Sequence, residues 1–342
     1  MEEPNLHAAI REGTLFQIPV GQLTVENLTV PNAAGNTPLH TAARYGRLRA
    51  LPASVLTAEH LLRRNKSGYT PLHHAAEAGH LDQVPPALLT SEILFTRSNS
   101  GYSIFHVAAA HGHLEQLPTE LLAGDVITHK TELGNTLLHE AAENGTLGQM
   151  PPALLIAELL AERNISGETV FHVAALNGHL NQIPAQFLVA ENLLRPTSAG
   201  DTVLHAAAIS GNLGQIPAGL LVHDNLVLAS RSGYTPIHAA AETGQLNQIP
   251  EAQLTADLLL TRNDHGDTAA HAAAFFGHLD QIPAALLTAD LLSTRNYDGI
   301  TPIRTAERSG HILQIPEALR PTPPGPFRRL LQRIADTRTP WG

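Results

Sequence analysis

The stretch GDTAAHAAAFFGHLDQIPAALLTADLLSTRNYD at residues 266–298 carries the pattern that decides the fold. Its first glycine begins a unit of 33 residues, and a histidine, a second glycine and a proline recur behind it at fixed distances. Four such series in one register predict a repeat protein, in which each unit stacks on its neighbours to bury a continuous core. The glycines that begin the units are Gly35, Gly68, Gly101, Gly134, Gly167, Gly200, Gly233, Gly266 and Gly299.

Local signals within this stretch predict helical structure. Gly266 suits a turn that needs a positive φ angle, and the Thr268 hydroxyl can cap the helix that follows. Residues 271–276 are predicted to form that short helix, with small alanines where a neighbouring unit must approach closely. Gly277 ends the helix, and Pro283 fits the first position of a second helical segment because its φ angle is fixed. Each unit is therefore predicted to contain short helices joined by turns.

Two further segments relate the pattern to a known family. Thr37-Pro-Leu-His40 and Thr70-Pro-Leu-His73 are each followed by a variable residue and two alanines, and they resemble the ankyrin repeat, as does the 33-residue period. The resemblance implies an all-α solenoid of about ten units, with paired antiparallel helices, protruding turns and a concave face. A leucine-rich repeat is excluded because no Leu-x-Leu-x-x-Asn segment recurs and the period is too long.

A recurring Gln-Ile-Pro segment departs from the usual ankyrin pattern. A proline inside the second helix would remove a hydrogen bond and clash with the preceding turn. We therefore expect a turn at the His-Leu-x-Gln residues that lead into this segment, followed by two short helical pieces on the outer face. Together with recurring segments of the Leu-Thr-Ala-Glu kind, it resembles a bacterial-type subtype of the repeat.

The register divides the chain into four predicted regions. Residues 1–34 lack the opening turn and are predicted to be an N-terminal capping repeat, and residues 35–319 are predicted to form the solenoid. Residues 320–326 are a proline-rich linker, whose composition predicts a stiff, extended backbone. Residues 327–342 are predicted to be a basic amphipathic tail, because four apolar residues recur there with helical spacing. These four are Phe327, Leu330, Leu331 and Ile334.

Composition limits the classes of protein to which the chain can belong. The sequence contains no cysteine, which excludes disulfides, zinc–thiolate sites and cysteine nucleophiles. Its net charge is −10, and residues 320–342 carry five arginines and one aspartate, so the rest of the chain is strongly acidic. We therefore expect no nucleic-acid binding. The start has no secretory pattern and no apolar run reaches about 18 residues, so we expect a cytoplasmic monomer, or secretion into a host cell by a route other than Sec.

The nine recurring histidines are interpreted as a structural ladder. A side chain that recurs at one position of nine units serves the framework, and in ankyrin repeats it bonds the backbone of the neighbouring turn. Two other groupings, His73 with His74 and His106 with His111 and His113, lack the partners of a metal site. No nucleophile elbow or phosphate-binding glycine loop occurs, so we expect no enzyme activity, metal or cofactor. The ladder consists of His7, His40, His73, His106, His139, His172, His205, His238 and His271.

Residues that vary between units are the candidates for partner binding. They lie in the turn tips or at the end of the first helix, and the resemblance places these positions on the concave surface. All five tyrosines fall in these places, and tyrosine is enriched at protein interfaces. The candidates are Arg44, Tyr45, Tyr69, Tyr102, His111, Leu176, Ile209, Tyr234, Phe275 and Tyr297.

Three hypotheses for function follow. The first is a non-catalytic scaffold whose acidic, tyrosine-bearing concave face binds a protein partner, and family analogy extends it to a bacterial effector. The second is a membrane-associated adaptor whose basic tail binds anionic lipid. The third is an acidic mimic of nucleic acid that blocks a DNA-binding protein. The first accounts best for the variable positions, and the sequence leaves the identity of the partner open.

Overall fold

The computed structural model describes residues 5–122 and 125–321, and it is a stack of short helices and turns. We number the units 1 to 10, with unit 1 ending at residue 34 and units 2 to 10 beginning at the nine glycines named above. Each inner helix packs against the inner helices of the adjoining units. The described part of the chain contains isolated β-bridges but no extended strand, so the predicted all-α solenoid is confirmed.

The inner helix is the first helix of each unit, and a reciprocal capping box starts most of them. In unit 3 the Thr70 hydroxyl accepts a hydrogen bond from the backbone N–H of His73, and the His73 side chain accepts one from the backbone N–H of Thr70. This exchange satisfies two donors that a helix start otherwise leaves unpaired. The inner helices are Leu6–Glu12, Pro38–Arg44, Pro71–Ala78, Ile104–Ala110, Leu137–Asn144, Val170–Asn177, Val203–Ile209, Pro236–Glu242, Ala269–Phe276 and Pro302–Arg308.

Two recurring glycines bound each inner helix, and they serve different purposes. Among the described residues, those with a positive φ angle are all glycines of the two recurring series. A Cβ atom at Gly200 (φ 90°) would lie 2.9 Å from the backbone nitrogen of Arg231, in the turn that leads into unit 8. One at Gly211 (φ 84°) would meet open space. Backbone conformation alone requires glycine at position 211, whereas position 200 also needs room for the neighbouring turn.

The recurring proline breaks the second helix, in agreement with the expectation from the Gln-Ile-Pro segment. In unit 3, Pro85 has an extended backbone (φ −54°, ψ 128°) between two 3-10 turns, Leu81–Gln83 and Pro86–Leu88. The outer helix Ser91–Leu94 follows, and the Thr90 hydroxyl caps it. The outer helices are Val25–Leu28, Ala58–Leu61, Ser91–Leu94, Asp125–Thr128, Ala157–Leu160, Ala190–Leu193, His223–Leu226, Ala256–Leu259 and Ala289–Ser293.

Two sets of 3-10 turns connect the inner and outer helices. The first set, before the proline, is Leu15–Gln17, Leu48–Ala50, Leu81–Gln83, Leu114–Gln116, Leu147–Gln149, Leu180–Gln182, Leu213–Gln215, Leu246–Gln248, Leu279–Gln281 and Ile312–Gln314. The second set, after it, is Val20–Gln22, Ala53–Val55, Pro86–Leu88, Thr119–Leu121, Pro152–Leu154, Ala185–Phe187, Ala218–Leu220 and Glu317–Leu319.

The core is one continuous band of alanine and leucine that runs through all the units. In unit 3, Ala75 and Ala76 are fully buried, which lets the neighbouring inner helices approach closely. Leu81 from the first 3-10 turn and Leu94 from the outer helix are also fully buried. Burying one such leucine contributes about 1.5–3 kcal/mol. Each unit therefore depends on its neighbours for stability.

The described part of the stack ends at Arg320. Its guanidinium donates hydrogen bonds to the carbonyl oxygens of Leu313 and Ile315. The predicted tail at residues 327–342, and all but the first two residues of the predicted linker, lie outside the described residues. Within the described ranges, no helix is long and apolar enough to cross a membrane.

Candidate functional site

The ladder histidines connect each turn to the next. The Nδ1 atom of His73 lies 3.2 Å from the backbone nitrogen and 2.8 Å from the hydroxyl oxygen of Thr70. Its Nε2 atom lies 3.2 Å from the carbonyl oxygen of Tyr102 in unit 4. Because the Thr70 N–H donates to Nδ1, the proton of the neutral ring is on Nε2, which donates to the carbonyl. One side chain therefore caps its own helix and binds the neighbouring unit.

Eight of the nine ladder histidines contact the next turn through Nε2. Among these eight, His106 bonds a different carbonyl, and the ninth histidine, His7, bonds a side chain instead. The Nε2 atom of His106 lies 3.1 Å from the carbonyl oxygen of His129, which is 23 residues further along the chain, whereas the other rings of this group bond the residue 29 positions further along. His7 instead places Nδ1 2.7 Å from the Thr41 hydroxyl oxygen, because unit 1 has no threonine at the cap position that would orient the ring toward the next turn. The histidines that bond the next turn are His40, His73, His106, His139, His172, His205, His238 and His271.

Burial keeps the ladder rings neutral at pH 7. It lowers the imidazole pKa from its usual 6.5, and the hydrogen bonds to the turn carbonyls act in the opposite direction without cancelling the shift. With both ring nitrogens engaged, these side chains belong to the framework. The pKa falls to about 4 for His40, His73, His106, His139 and His172. It is also lowered for His205, His238 and His271.

The variable residues share one side of the stack, here called the inner face. It consists of the residues one, six, nine and ten positions after the first glycine of each unit, with the equivalent residues of unit 1. Its charge varies from one unit to the next along the stack. Arginines occupy it in units 1, 2 and 10, with Glu12 beside Arg11 in unit 1, and carboxylates occupy it in unit 3 and in units 5 to 9. Examples are Arg11 and Arg44 in units 1 and 2, Glu77 in unit 3, Glu140 and Glu143 in unit 5, and Arg308 in unit 10.

The arginine cavity lies on the described part of this face and spans units 1 to 3. Its volume is about 180 Å³. The candidate residues Arg44 and Tyr45 lie here, and both are exposed. The lining residues are His7, Arg11, Asn32, Asn36, His40, Thr41, Arg44, Tyr45 and His74.

His74 occupies an unusual position in the arginine cavity. Only 9% of its surface is exposed, and its Nδ1 atom lies 3.0 Å from a carboxylate oxygen of Glu77. Its Nε2 atom is buried and has no hydrogen-bond partner in the described protein. The hydrogen bond from His74 lowers the pKa of Glu77, as do the charges of Arg44 and His111. A buried nitrogen without a partner is costly in a folded protein.

The tyrosine–glutamate cavity follows in units 3 to 5, with a volume of about 230 Å³. Glu140 is its buried member: 2% of its surface is exposed, and its Oε1 atom accepts a hydrogen bond of 3.0 Å from the Asn135 amide. Tyr102 also interacts with this carboxyl group and acts to lower its pKa. The candidates Tyr69, Tyr102 and His111 meet here. The lining residues are Tyr69, Tyr102, Val107, Ala110, His111, Glu140, Glu143 and Asn144.

Titrating groups in the tyrosine–glutamate cavity have strongly shifted pKa values. Burial raises the pKa of Glu140 from 4.5 to about 7, and the charge of Glu143 adds to the increase. The pKa of Tyr102 is raised to about 12, mainly by burial and then by the charges of Glu140 and Glu143. The pKa of Tyr69 is raised by burial and then by the charges of Glu77 and Glu140. The cavity therefore has a negative potential, which favours a cationic ligand group.

The apolar cavity lies in units 6 and 7, beside the last residue of unit 5, and has a volume of about 170 Å³. The candidates Leu176 and Ile209 stand on it, with 44% and 49% of their surfaces exposed. Further along, Phe275 and Phe276 of unit 9 are both exposed, and their ring centroids are 5.0 Å apart. The lining residues are Ser166, Glu168, His172, Leu176, Thr197, Ala199, Asp201, Ala206 and Ile209.

The five tyrosines divide into two groups. Tyr69, Tyr102 and Tyr234 are half-buried, and each ring packs against the ladder histidine of its own unit, with centroids 5.0, 6.4 and 5.7 Å apart. The Tyr234 hydroxyl also donates to the Glu242 carboxylate. These three rings therefore contribute to the framework as well as to the face. Tyr45 and Tyr297 are exposed, and Tyr297 lies on a turn tip over Gly266, away from the three cavities.

Two features of this face were not expected from the sequence, namely the buried carboxyl of Glu140 and the unpaired nitrogen of His74. Both residues stand six positions after the first glycine of their unit, where other units have alanine, threonine or valine. The sequence did contain a signal for both features, namely a titratable residue at a position that is small or apolar in the other units. Among the described residues, no three His, Asp or Glu side chains converge in a group that could hold a metal ion.

Comparison with known families agrees with this geometry. The family model for ankyrin repeats (three copies) matches residues 6–85, which belong to units 1 to 3. A search of curated proteins finds no match. The capping boxes, ladder bonds and paired glycines of the matched units continue in the same register through the described stack. The chain contains ankyrin repeats, and a stack of such repeats is a protein–protein interaction module, typically without catalytic activity.

Proposed function

We propose that the inner face binds one segment of a partner protein that runs along several units. The observation that carries this proposal is the series of three cavities, cationic, anionic and apolar, at equivalent positions of successive units. The framework is the same at each place while the side chains differ. Such a face offers a partner a different contact at each unit, and a mismatched charge at any of them opposes binding.

The chemistry of each cavity indicates what the partner segment presents to it. The guanidinium groups of the arginine cavity suit an acidic group. The carboxylates and tyrosine rings of the tyrosine–glutamate cavity suit a lysine or arginine side chain. Leu176 and Ile209 suit an aliphatic or aromatic side chain, and such residues supply most of the binding energy at interfaces. The partner segment therefore carries acidic, basic and apolar groups in that order along the stack.

The spacing of the units is compatible with a regular partner segment. Packed helices lie about 8–10 Å apart. Three residues of a polyproline II helix make one turn and span about 9 Å. Seven residues of α-helix span about 10 Å. A partner in either conformation thus presents an equivalent position to each successive inner helix.

Affinity capture with matched variants tests this proposal. Leu176→Asp places a charge on the apolar cavity, and Val189→Asp places one at the start of the outer helix of the same unit, where 44% of the residue is likewise exposed. Circular dichroism first establishes that both variants are folded. Proteins captured from the native lysate are then quantified against the wild type. We expect at least one protein to bind the wild type and Val189→Asp but to be lost from Leu176→Asp.

The control determines how the result is interpreted. If every captured protein binds both variants equally, or is lost equally from both, the inner face is not the binding surface. A captured protein that passes the comparison is then tested with Phe275→Asp and with Arg44→Glu. These variants sample the opposite ends of the face, and we expect each to weaken binding if the segment spans several units.

A further inference from the structure

We propose that the arginine cavity is a binding site for an oxyanion, either a carboxylate or a phosphate group. That a partner protein carries this group rests on the function proposed above. The binding of the oxyanion itself rests only on the residues of the cavity. Three independent features point to it: an unpaired buried nitrogen, two arginines on the cavity, and amide groups whose oxygens are already engaged.

The first feature is the Nε2 atom of His74. The ring is buried at the floor of the cavity, and its other nitrogen, Nδ1, is held 3.0 Å from the carboxylate of Glu77. A carboxylate only accepts, so Nδ1 donates. In the imidazolium form Nε2 is a second donor, and Glu77 balances the charge of the ring. No described residue pairs with this nitrogen, and protein atoms cover it, so an oxyanion in the cavity reaches it only when the side chains that line the cavity move aside.

The second feature is the positive charge of the cavity. Arg11 and Arg44 both line it. Arg11 is 3.8 Å from the carboxylate of Glu12, whereas Arg44 forms no hydrogen bond or ion pair with another described residue. Their charges oppose a cationic ligand. A neutral hydroxyl could pair with His74 but would leave Arg44 without a counter-charge. An oxyanion accepts from both groups, and hydrogen bonds between ions of opposite charge are the strong ones.

The third feature is the state of the two asparagines on the cavity. The Asn32 side-chain oxygen accepts from the backbone N–H groups of Ala34 and Asn36. The Asn36 side-chain oxygen accepts from the Asn65 amide, at 2.7 Å. With both oxygens engaged, the remaining groups of these side chains are N–H donors. The amide N–H groups of these two asparagines are therefore donors that an oxyanion can use.

The size of the cavity limits the ligand to a small group. Its volume is about 180 Å³. Pockets for cofactors and drug-sized molecules are about 300–1,000 Å³. A nucleotide or a similar cofactor is thus too large, while a single carboxylate or phosphate group on a flexible side chain fits. Arg44 at the edge of the cavity is exposed and can close over such a group.

Calorimetric titration of the full chain with inorganic phosphate, and separately with acetate, tests the site. Sodium chloride at the same ionic strength is the reference. The variants are Arg44→Ala and, as a matched control, Arg308→Ala, since both arginines are exposed and each is the last residue of its inner helix. We expect Arg44→Ala to weaken binding about tenfold and Arg308→Ala to leave the affinity within about twofold of the wild type.

Nuclear magnetic resonance of histidine-labelled protein locates the ion. The His74 ring signal is identified by its loss in His74→Gln, and it is expected to shift with saturation as phosphate is added. If His74→Gln does not fold, the calorimetric comparison of Arg44→Ala with Arg308→Ala still shows whether the oxyanion binds in the arginine cavity. The proposal is overturned if phosphate and acetate bind no better than chloride, or if Arg308→Ala weakens binding as much as Arg44→Ala.

The two arms of the titration distinguish the source of the oxyanion. Binding of phosphate alone indicates a phosphorylated partner residue, whereas binding of both ions indicates a carboxylate. This experiment is separate from the capture experiment. Phosphate binding without partner capture at Leu176 contradicts only the proposed function. Partner capture without any anion binding contradicts only the oxyanion site.

Discussion

The Nε2 atom of His205 lies 3.1 Å from the carbonyl oxygen of Tyr234, and the Nδ1 atom of the same ring lies 3.0 Å from the hydroxyl oxygen of Thr202. Thr202 precedes the inner helix of unit 7, and Tyr234 belongs to the turn of unit 8. A single buried ring therefore joins the start of one helix to the turn of the next unit. Repetition of this bond couples neighbouring units along the stack.

The first prediction concerns the energy of this connection. His205→Ala leaves the Tyr234 carbonyl and the Thr202 backbone N–H without their partner, and we expect it to lower the free energy of unfolding by about 1–3 kcal/mol. His7→Ala should cost less, because His7 is only partly buried and bonds a hydroxyl on the neighbouring helix. Urea unfolding of both variants measures the difference. Equal losses would contradict the role assigned to the ladder.

The second prediction concerns acid stability. The ladder pKa values are depressed, to about 4 in five rings, while the unfolded value is near 6.5. Between these values the unfolded chain binds more protons than the native one, so the stabilisation is complete above pH 6.5 and is lost as the pH falls toward 4. Each histidine contributes a slope of at most about 1.4 kcal/mol per pH unit.

Urea unfolding at several pH values checks this slope. His139→Gln removes one ladder ring and should make the free energy of unfolding less dependent on pH between 6.5 and 4. His265→Gln, at an exposed turn tip, is the control and should leave the dependence unchanged. If wild-type stability were constant across this window, the ladder rings would not be the neutral, buried groups described here.

The third prediction separates the two reasons for glycine in one unit. Gly211→Ala forces a positive φ angle on alanine in open space, which costs about 1–2 kcal/mol. Gly200→Ala carries the same conformational cost, and its Cβ atom would also lie 2.9 Å from the backbone nitrogen of Arg231. We therefore expect Gly200→Ala to lower the melting temperature more than Gly211→Ala. The opposite order would contradict the close approach of the turns.

The fold was predictable from the sequence because its determinants are short-range and repeated. Thr70 and His73 are three residues apart, and their mutual capping follows from that spacing. The proline of the Gln-Ile-Pro segment breaks the second helix through its own ring and missing N–H, whatever surrounds it. Such local signals need no knowledge of the neighbouring units, and they recur often enough to define the register.

The inner face was predictable only in outline, because its properties depend on contacts between units. The total charge indicated an acidic surface, but it does not specify that Arg11 and Arg44 share one cavity with His74. The sequence predicts that Tyr102 lies near a turn tip, yet its packing on His106 and its interaction with Glu140 in the next unit need the stacked geometry. Burial of Glu140 likewise depends on side chains that are distant in sequence.

The fourth prediction concerns the buried carboxyl of Glu140. Its pKa of about 7 lies above the usual 4.5, so the native state binds more protons than the unfolded chain between these values. The stabilisation that protonation provides is present below pH 4.5 and is lost as the pH rises through 7. Glu140→Gln keeps an oxygen that can accept from Asn135 but removes the buried charge. We expect it to raise the free energy of unfolding at pH 8 by about 1–3 kcal/mol.

Glu143→Gln is the matched control for this change. Glu143 lines the same cavity but is exposed, so its substitution should alter stability at pH 8 far less. Denaturant unfolding at pH 8 and pH 5 measures both variants, and the advantage of Glu140→Gln should shrink at the lower pH. A Glu140→Gln variant less stable than wild type at pH 8 would show that the ionised carboxylate is well compensated in the cavity.

The fifth prediction concerns residues 322–342, which the sequence indicates are a basic element separate from the stack. The Arg320 side chain already bonds the carbonyl oxygens of Leu313 and Ile315, so the end of unit 10 is satisfied without the residues that follow. Deleting residues 322–342 should therefore leave the melting temperature within about 2 °C of the full chain. In contrast, deleting residues 320–342 also removes the Arg320 guanidinium and should lower the melting temperature further.

Sedimentation with anionic vesicles then distinguishes the roles of the segment: a membrane-binding tail requires the full chain to sediment and the shorter chain to stay in solution. If the chain ending at residue 321 unfolds or aggregates, residues 322–342 are a structural cap of the stack, and the division of the chain at its proline-rich segment is wrong.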